Sequence, residues 1–285
     1  MKNQKNNIVL VPSDFTEIAN TAIDHGIGVA KLLNYKLCIL HIINKESKTM
    51  LKKEKSNEGE LAKRLQVLAD DIKAKHKIET DFILKEGSIF TDIAEVAKEI
   101  GANMIVLGTH GKVGVQHLTG SYAIKVVTSS TVPVIVVQER AFGEGYKNIV
   151  LPIDISLESK QKVKWAVYLA KNFNSTVHII TMNETDEFLA RNIKNNLEQI
   201  KSILEQNNIN YTAKIAYEKG GNFVKQVIHY ADSIKADMIT IMTAPDRLLP
   251  TFIVDTKDEQ TIFNNSQIPV LCLNPLDIHI QVIGL

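Results

Sequence analysis

Four short apolar blocks occur twice along this chain in the same order, and an internal repeat fixes architecture before any single motif does. Val9-Leu10-Val11-Pro12-Ser13-Asp14 is answered by Ile149-Val150-Leu151-Pro152-Ile153-Asp154, and Leu40-His41-Ile42-Ile43 by Val177-His178-Ile179-Ile180. Ala102 to Leu107 recurs as Ala236 to Ile241, and Val132-Pro133-Val134-Ile135 as Ile268-Pro269-Val270-Leu271. Between the blocks, apolar residues recur at three- and four-residue spacing, as in Ala19, Ile23, Ile27 and Ala30 or Leu189, Ile193, Leu197, Ile200 and Leu204. That period belongs to amphipathic helices. Continuously apolar strands alternating with such helices imply a parallel sheet covered on both faces. Each copy reads β-α-β-α-β-α-β-α-β, so the expected fold is α/β, two tandem doubly wound domains with five-stranded parallel sheets. The boundaries are placed at 1–140 and 147–285, with the joint at Gln138 to Lys147, where Gly143-Glu144-Gly145 interrupts the apolar pattern. The mixed-charge run Lys45 to Glu58 reads as a solvated loop entering a helix.

Bulk properties exclude several classes of function. Lys and Arg number 33 against 32 Asp and Glu, so the chain lacks the basic surplus that drives contact with nucleic acid phosphates. Hydrophobic residues at 45% and charged residues at 23% place it with globular chains, away from disordered ones. Cys38 and Cys272 each sit in an apolar run with no Cys or His at metal-ligand spacing, which suggests neither a metal site nor a disulfide framework. The N-terminus lacks the apolar core of a signal peptide, and no apolar stretch is long enough for a bilayer. A cytoplasmic protein without membrane contact is expected.

In an open parallel sheet, ligands settle at the carboxyl ends of the strands where the strand order reverses. Three segments fall there. Pro12-Ser13-Asp14 follows the first strand, where a carboxylate can accept from a ribose hydroxyl or an adenine amino group; alternatively Asp14, like Asp154, caps the following helix. Gly108-Thr109-His110-Gly111-Lys112 follows the fourth strand and leads to Gly120-Ser121 at the head of a helix. Glycines permit close backbone approach there, and free amides at a helix start favour phosphate. Gly111-Lys112-Val113 does not complete a P-loop, and Pro12 stands where a dinucleotide-binding turn needs glycine. The third segment is Ile42-Ile43, whose backbone could meet an adenine ring. His41 and His178 read as packed core residues in one recurring strand. His110 reads as a contact residue, since no paired acid and nucleophile accompany it.

These motifs resemble those of the universal stress protein family in its tandem form, across nearly the whole chain. The family's Pro-x-Asp-x-Ser/Thr turn is matched by Pro12-Ser13-Asp14-Phe15-Thr16. Its pattern of Gly, two residues, Gly, nine residues, Gly-Ser/Thr is matched by Gly108-Thr109-His110-Gly111 and Gly120-Ser121, with one intervening residue fewer. The resemblance implies an adenine nucleotide alpha hydrolase-like fold. It also implies adenosine held by Asp14 and the Ile42 backbone, flanked by Pro12, Ser13 and Leu107, with Gly108, His110, Gly111, Gly120 and Ser121 around the ribose and phosphates. The ligand implied is ATP, ADP or AMP, with Mg2+ as a companion of the phosphates. The second copy carries Met242-Thr243-Ala244-Pro245-Asp246 and Thr256-Lys257 at the matching places, without a glycine, so it is expected to bind no nucleotide in the family manner. Family members dimerise along their last strands, which implies a pseudo-dimer within this chain through 132–137 and 268–273. Ile278, Ile280 and Val282 alternate with polar residues and read as a further strand that adds to a sheet, within the chain or across a homodimer.

The function expected is that of a regulatory nucleotide-binding protein in a stress response, acting through protein partners. Turnover is expected to be at most that of a slow ATPase, with no catalytic residues. An interaction protein in which both sites have degenerated is the second reading. A nucleotidyl transferase is disfavoured, because the first turn carries neither His-x-Gly-His nor Ser-Gly-Gly-x-Asp-Ser.

Overall fold

A computed structural model describes residues 6–109, 119–154, 161–243 and 256–275. It divides into two compact units, residues 1–142 and 143–285. Unit 1 runs β1 (Ile8–Pro12), α1 (Glu17–Leu33), β2 (Lys36–Ile43), α2 (Lys45–Glu54), α3 (Glu58–His76), β3 (Thr80–Glu86), α4 (Asp92–Glu99), β4 (Met104–Gly108), α5 (Thr119–Ser129) and β5 (Val134–Val137). Unit 2 runs β6 (Asn148–Ile153), α6 (Gln161–Phe173), β7 (Thr176–Thr181), α7 (Glu187–Gln206), β8 (Tyr211–Ile215), α8 (Phe223–Ser233), β9 (Met238–Met242), α9 (Thr256–Ile262) and β10 (Val270–Leu273). Within unit 1 the strands lie in the order β3-β2-β1-β4-β5, and within unit 2 in the order β8-β7-β6-β9-β10, all parallel. The fold is therefore α/β with two repeated parallel sheets. The segment 278–282, expected as a further strand, lies outside the described residues.

The central strands are mostly apolar because helices cover both faces, and Val9, Leu10, Val11, Ile149, Val150 and Leu151 are fully buried. Local chemistry sets the helix ends. Thr16 caps α1 by accepting from the Ala19 N–H at 3.3 Å, and Asn34 closes it in the left-handed region at φ 55°. Asn174 takes the same role after α6 at φ 52°.

Two expectations are corrected. The run Lys45 to Glu58 is not a loop: residues Lys45–Glu54 form α2, capped where the Asn44 side chain accepts from the Ser47 N–H at 2.8 Å. Its anchor is Leu51, buried with Ile43 and Leu61, and the charged residues around it leave too little of a visible apolar period. The second correction concerns the repeated histidine. Pro12 lies opposite Leu40 and Pro152 opposite Ile180, so the counterpart of His41 is Thr181, and that of His178 is Cys38. A slip of three residues still aligns apolar with apolar in a strand buried on both faces, but an odd slip turns side chains to the opposite face. His178 is accordingly half-buried, with its ring nitrogens on the Thr212 hydroxyl at 2.9 Å and the Asn148 side-chain oxygen at 3.0 Å.

Candidate functional site

In unit 1 the chain runs from β1 outward to β2 and β3 and then returns to β4 on the other side, so the strand order reverses between β1 and β4. Pro12 ends β1 there. The buried Ser13 donates its N–H to the Leu40 carbonyl at 2.8 Å, and its hydroxyl accepts from the Phe15 N–H at 3.2 Å. Phe15 is held at φ 64°, a conformation disfavoured for residues with a Cβ, and such strain gathers at functional turns. This sharp turn leaves Asp14 exposed at the rim. Asp14 does not cap α1. Its carboxylate accepts from the Thr16 N–H at 3.1 Å and hydroxyl at 2.6 Å, steadying the residue that does cap the helix. One carboxylate oxygen, Oδ1, makes both bonds, and a carboxylate has acceptor capacity beyond them.

The end of β2 supplies a second recognition element, and its geometry follows from the ladder. Odd-numbered residues of β2 face β3: the Leu37 N–H donates to the Glu79 carbonyl at 2.9 Å, and the Ile43 carbonyl accepts from the Gly87 N–H at 3.2 Å. Even-numbered residues face β1, as the Leu40 carbonyl does. Ile42 therefore turns its N–H and C=O toward the line along which β1 would continue, had it not ended at Pro12. The Ser13 carbonyl, next on that line, accepts instead from His41 Nδ1 at 2.7 Å. The Ile42 carbonyl accepts from the Ser47 hydroxyl at 3.1 Å.

His41 is buried, as expected, but it is not inert packing. A carbonyl only accepts, so the His41 proton sits on Nδ1, and Nε2 faces the Ser47 hydroxyl at 3.2 Å. Burial is the largest influence on the imidazole and holds it below its ordinary value; the Ser13 bond and the Asp14 charge oppose this, and Arg64 adds to it. The ring is thus neutral near pH 7. Phe15 packs against it at 5.2 Å between centroids, and the Arg64 guanidinium lies 4.1 Å from the Phe15 centroid on the outer side.

On the far side of the reversal, Leu107 is buried in β4 and Gly108 ends it. A Cβ on Gly108 would stand 2.8 Å from the Ile18 carbonyl oxygen and 2.7 Å from its side chain. The close passage of α1 therefore requires glycine here, independently of any ligand. The buried Thr109 continues the strand line, donating its N–H to the Val137 carbonyl at 2.9 Å. His110 and Gly111 lie outside the described residues, and Gly120 and Ser121 fall in the first turn of α5. Tyr122, one residue on, donates to the Gly108 carbonyl at 3.3 Å. Burial raises its phenol above the ordinary range and the Asp14 charge adds to this, so it remains a neutral donor beside the site. Sequence reasoning missed Tyr122, Phe15, Arg64 and Ser47. Phe15 was legible as the variable position of the Pro-x-Asp-x-Thr turn, and Ser47 as the third residue after a capping Asn; Arg64 carries no such signal.

Unit 2 departs at each of these points. The Met182 N–H donates to the Ile153 carbonyl at 3.0 Å, so the bond that unit 1 leaves unmade at Ile42 is made here. Thr181, with no ring nitrogen to take that carbonyl, stands in place of His41. Met242 replaces Gly108, while Thr243 keeps the strand line of Thr109, its N–H reaching the Leu273 carbonyl at 2.8 Å. Lys162 occupies the position of Ala22; it is buried, and its ammonium donates to the Pro152 carbonyl at 2.6 Å. Ala244, Pro245 and Asp246 lie outside the described residues.

Among the described residues no group of His, Cys, Asp and Glu could hold a metal ion, and no helix is long and apolar enough to cross a membrane. Cys38 and Cys272 are buried and take part in no disulfide among the described residues.

Comparison with known proteins agrees with this architecture. The universal stress protein family model matches twice, over residues 5–138 and 145–274. The universal stress protein MJ0531 of Methanocaldococcus jannaschii is 28% identical over 142 residues, covering 46% of this chain and 81% of its own length. The universal stress protein MJ0577 of the same organism is 25% identical over 154 residues, covering 46% of this chain and 94% of its own. A crystal structure of a universal stress protein from Archaeoglobus fulgidus superposes with a TM-score of 0.76 at 19% identity, over 95% of this chain and 99% of that one, which is a likeness of fold. The parallel sheets have the adenine nucleotide alpha hydrolase-like arrangement, and with both halves matched by the family model the chain belongs to the universal stress protein family, as a tandem of two such domains.

Proposed function

We propose that unit 1 binds an adenine nucleotide, as ATP, ADP or AMP, and that unit 2 does not. The observation that carries this reading is the open backbone edge of Ile42 beside the exposed Asp14. An N–H and a C=O facing the same way complement the Watson–Crick edge of adenine, which offers a ring-nitrogen acceptor next to an amino donor. The Asp14 carboxylate stands where it can take ribose hydroxyls. The start of α5, where Gly120 and Ser121 lie, would favour the phosphates electrostatically. Mg2+ would enter with the phosphates. Unit 2 has closed the corresponding edge through Met182 and lost the glycine at the end of β9. In this reading the protein acts as a cytoplasmic regulatory binder through protein partners.

Calorimetry of the intact chain with ATP, ADP, AMP and adenosine tests this. Asp14→Ala removes a charged acceptor, worth about 1.5–3 kcal/mol, and should weaken adenosine about 10- to 100-fold. No binding of any of the four ligands would overturn the proposal and leave the tandem as an interaction protein.

A further inference from the structure

We infer that His41 is a positioning residue that keeps the Ile42 backbone edge open, and that it thereby gives unit 1 its capacity to recognise an adenine base. This deepens the nucleotide reading and rests on it for the identity of the ligand, but the role of His41 in the ladder stands on its own geometry. In a parallel pair, the natural partner of the Ile42 N–H is the Ser13 carbonyl. His41 Nδ1 holds that carbonyl at 2.7 Å, and the chain leaves the sheet at Ser13. The two units supply an internal comparison on the same scaffold. Where Thr181 replaces His41, β6 extends one residue further, to Ile153, and the Ile153 carbonyl takes the Met182 N–H at 3.0 Å.

Ser47 completes the device. Its single hydroxyl proton has three acceptors, the Ile42 carbonyl at 3.1 Å, the Asn44 side-chain oxygen at 3.1 Å and His41 Nε2 at 3.2 Å. With the ligand absent, the hydroxyl satisfies Ile42. When an adenine amino group arrives at that carbonyl, the proton turns to His41 Nε2, which can accept because Nδ1 carries the ring's own hydrogen. The same imidazole thus holds back the Ser13 carbonyl and provides the alternative partner for Ser47. The Ser47 proton therefore keeps a partner in both states, and the Ile42 N–H, without one among the described residues of the ligand-free chain, gains one from the base.

The test uses the full chain and reads amide exchange at single residues together with adenosine binding. His41→Thr imitates unit 2, and should slow exchange of the Ile42 N–H at least tenfold without ligand and weaken adenosine at least tenfold. His41→Asn, whose side-chain amide can still donate to Ser13, should stay within about threefold of wild type in both readouts. The mirror variant, Thr181→His, should speed exchange at Met182 at least tenfold, and it carries the test should His41→Thr fail to fold. Equal Ile42 exchange in wild type and His41→Thr would overturn the inference, as would unaltered Met182 exchange in Thr181→His or full adenosine affinity in His41→Thr. If the exchange effects appear and wild-type protein binds no adenosine, the role of His41 holds and the nucleotide reading fails.

Discussion

Single atoms at this site have more than one candidate partner, and the energetic differences between them are small. Ser47 shows this most clearly. Its hydroxyl occupies the Ile42 carbonyl, so an incoming adenine amino group replaces one neutral hydrogen bond by another. Ser47→Ala removes the competitor and leaves that carbonyl open to water and ligand. A neutral hydrogen bond contributes about 0.5–1.5 kcal/mol net, so adenosine should bind roughly 2- to 10-fold more tightly to this variant. Isothermal titration at pH 7, where His41 is neutral, reads the effect directly. Weaker binding by Ser47→Ala would mean that the hydroxyl contacts the base itself rather than standing in for it.

Elements are placed by contacts that often look functional in sequence. Gly108 opens the glycine pattern that suggests phosphate, yet its lack of a side chain is already required by α1, whose Ile18 carbonyl oxygen would lie 2.8 Å from a Cβ. Gly108→Ala should therefore destabilise the ligand-free chain by about 1–3 kcal/mol, the usual effect of overpacking, visible as a lower melting temperature. An unchanged melt with lost nucleotide binding would assign that glycine to the ligand instead. The alternation of strands and helices was legible because apolar runs and three- and four-residue periods survive in isolation, and the Pro12 to Thr16 turn was legible as a motif. What stayed hidden depends on register. The ladder that exposes Ile42 is defined only when Pro12 is set opposite Leu40, and a strand buried on both faces gives the sequence no parity with which to detect a slip. His41 and His178 were paired for that reason. α2 was hidden for a different one, since its buried anchor Leu51 stands among charged residues that mask an apolar period.

At the scale of the whole molecule, the two units have the same strand order but differ at the ends of their central strands, and duplication explains how both can persist. A sheet and its helices are stabilised by buried apolar surface, which unit 2 retains in full through residues such as Val150, Val167 and Ile179. The carboxyl end of that sheet still gives Ile153 to this core, so the changes there are ones that leave the apolar side chains in place. There the extended β6, the Met242 side chain and the buried Lys162 ammonium replace an open edge, a glycine and Ala22. The proposed reading predicts a stoichiometry of one nucleotide per chain. A ligand at 100 times its dissociation constant stabilises the state that binds it by about 2.7 kcal/mol, which slows amides exchanging through opening of that state about 100-fold. Hydrogen exchange with saturating ATP should show such slowing within residues 8–137, strongest at 12–16 and 42–47. Residues 148–154 and 181–183 should keep their ligand-free rates. Two nucleotides per chain by native mass spectrometry, or equal protection at Met182 and Ile42, would show that unit 2 binds through contacts other than this edge. The asymmetry would then lie in affinity rather than in the presence of a site.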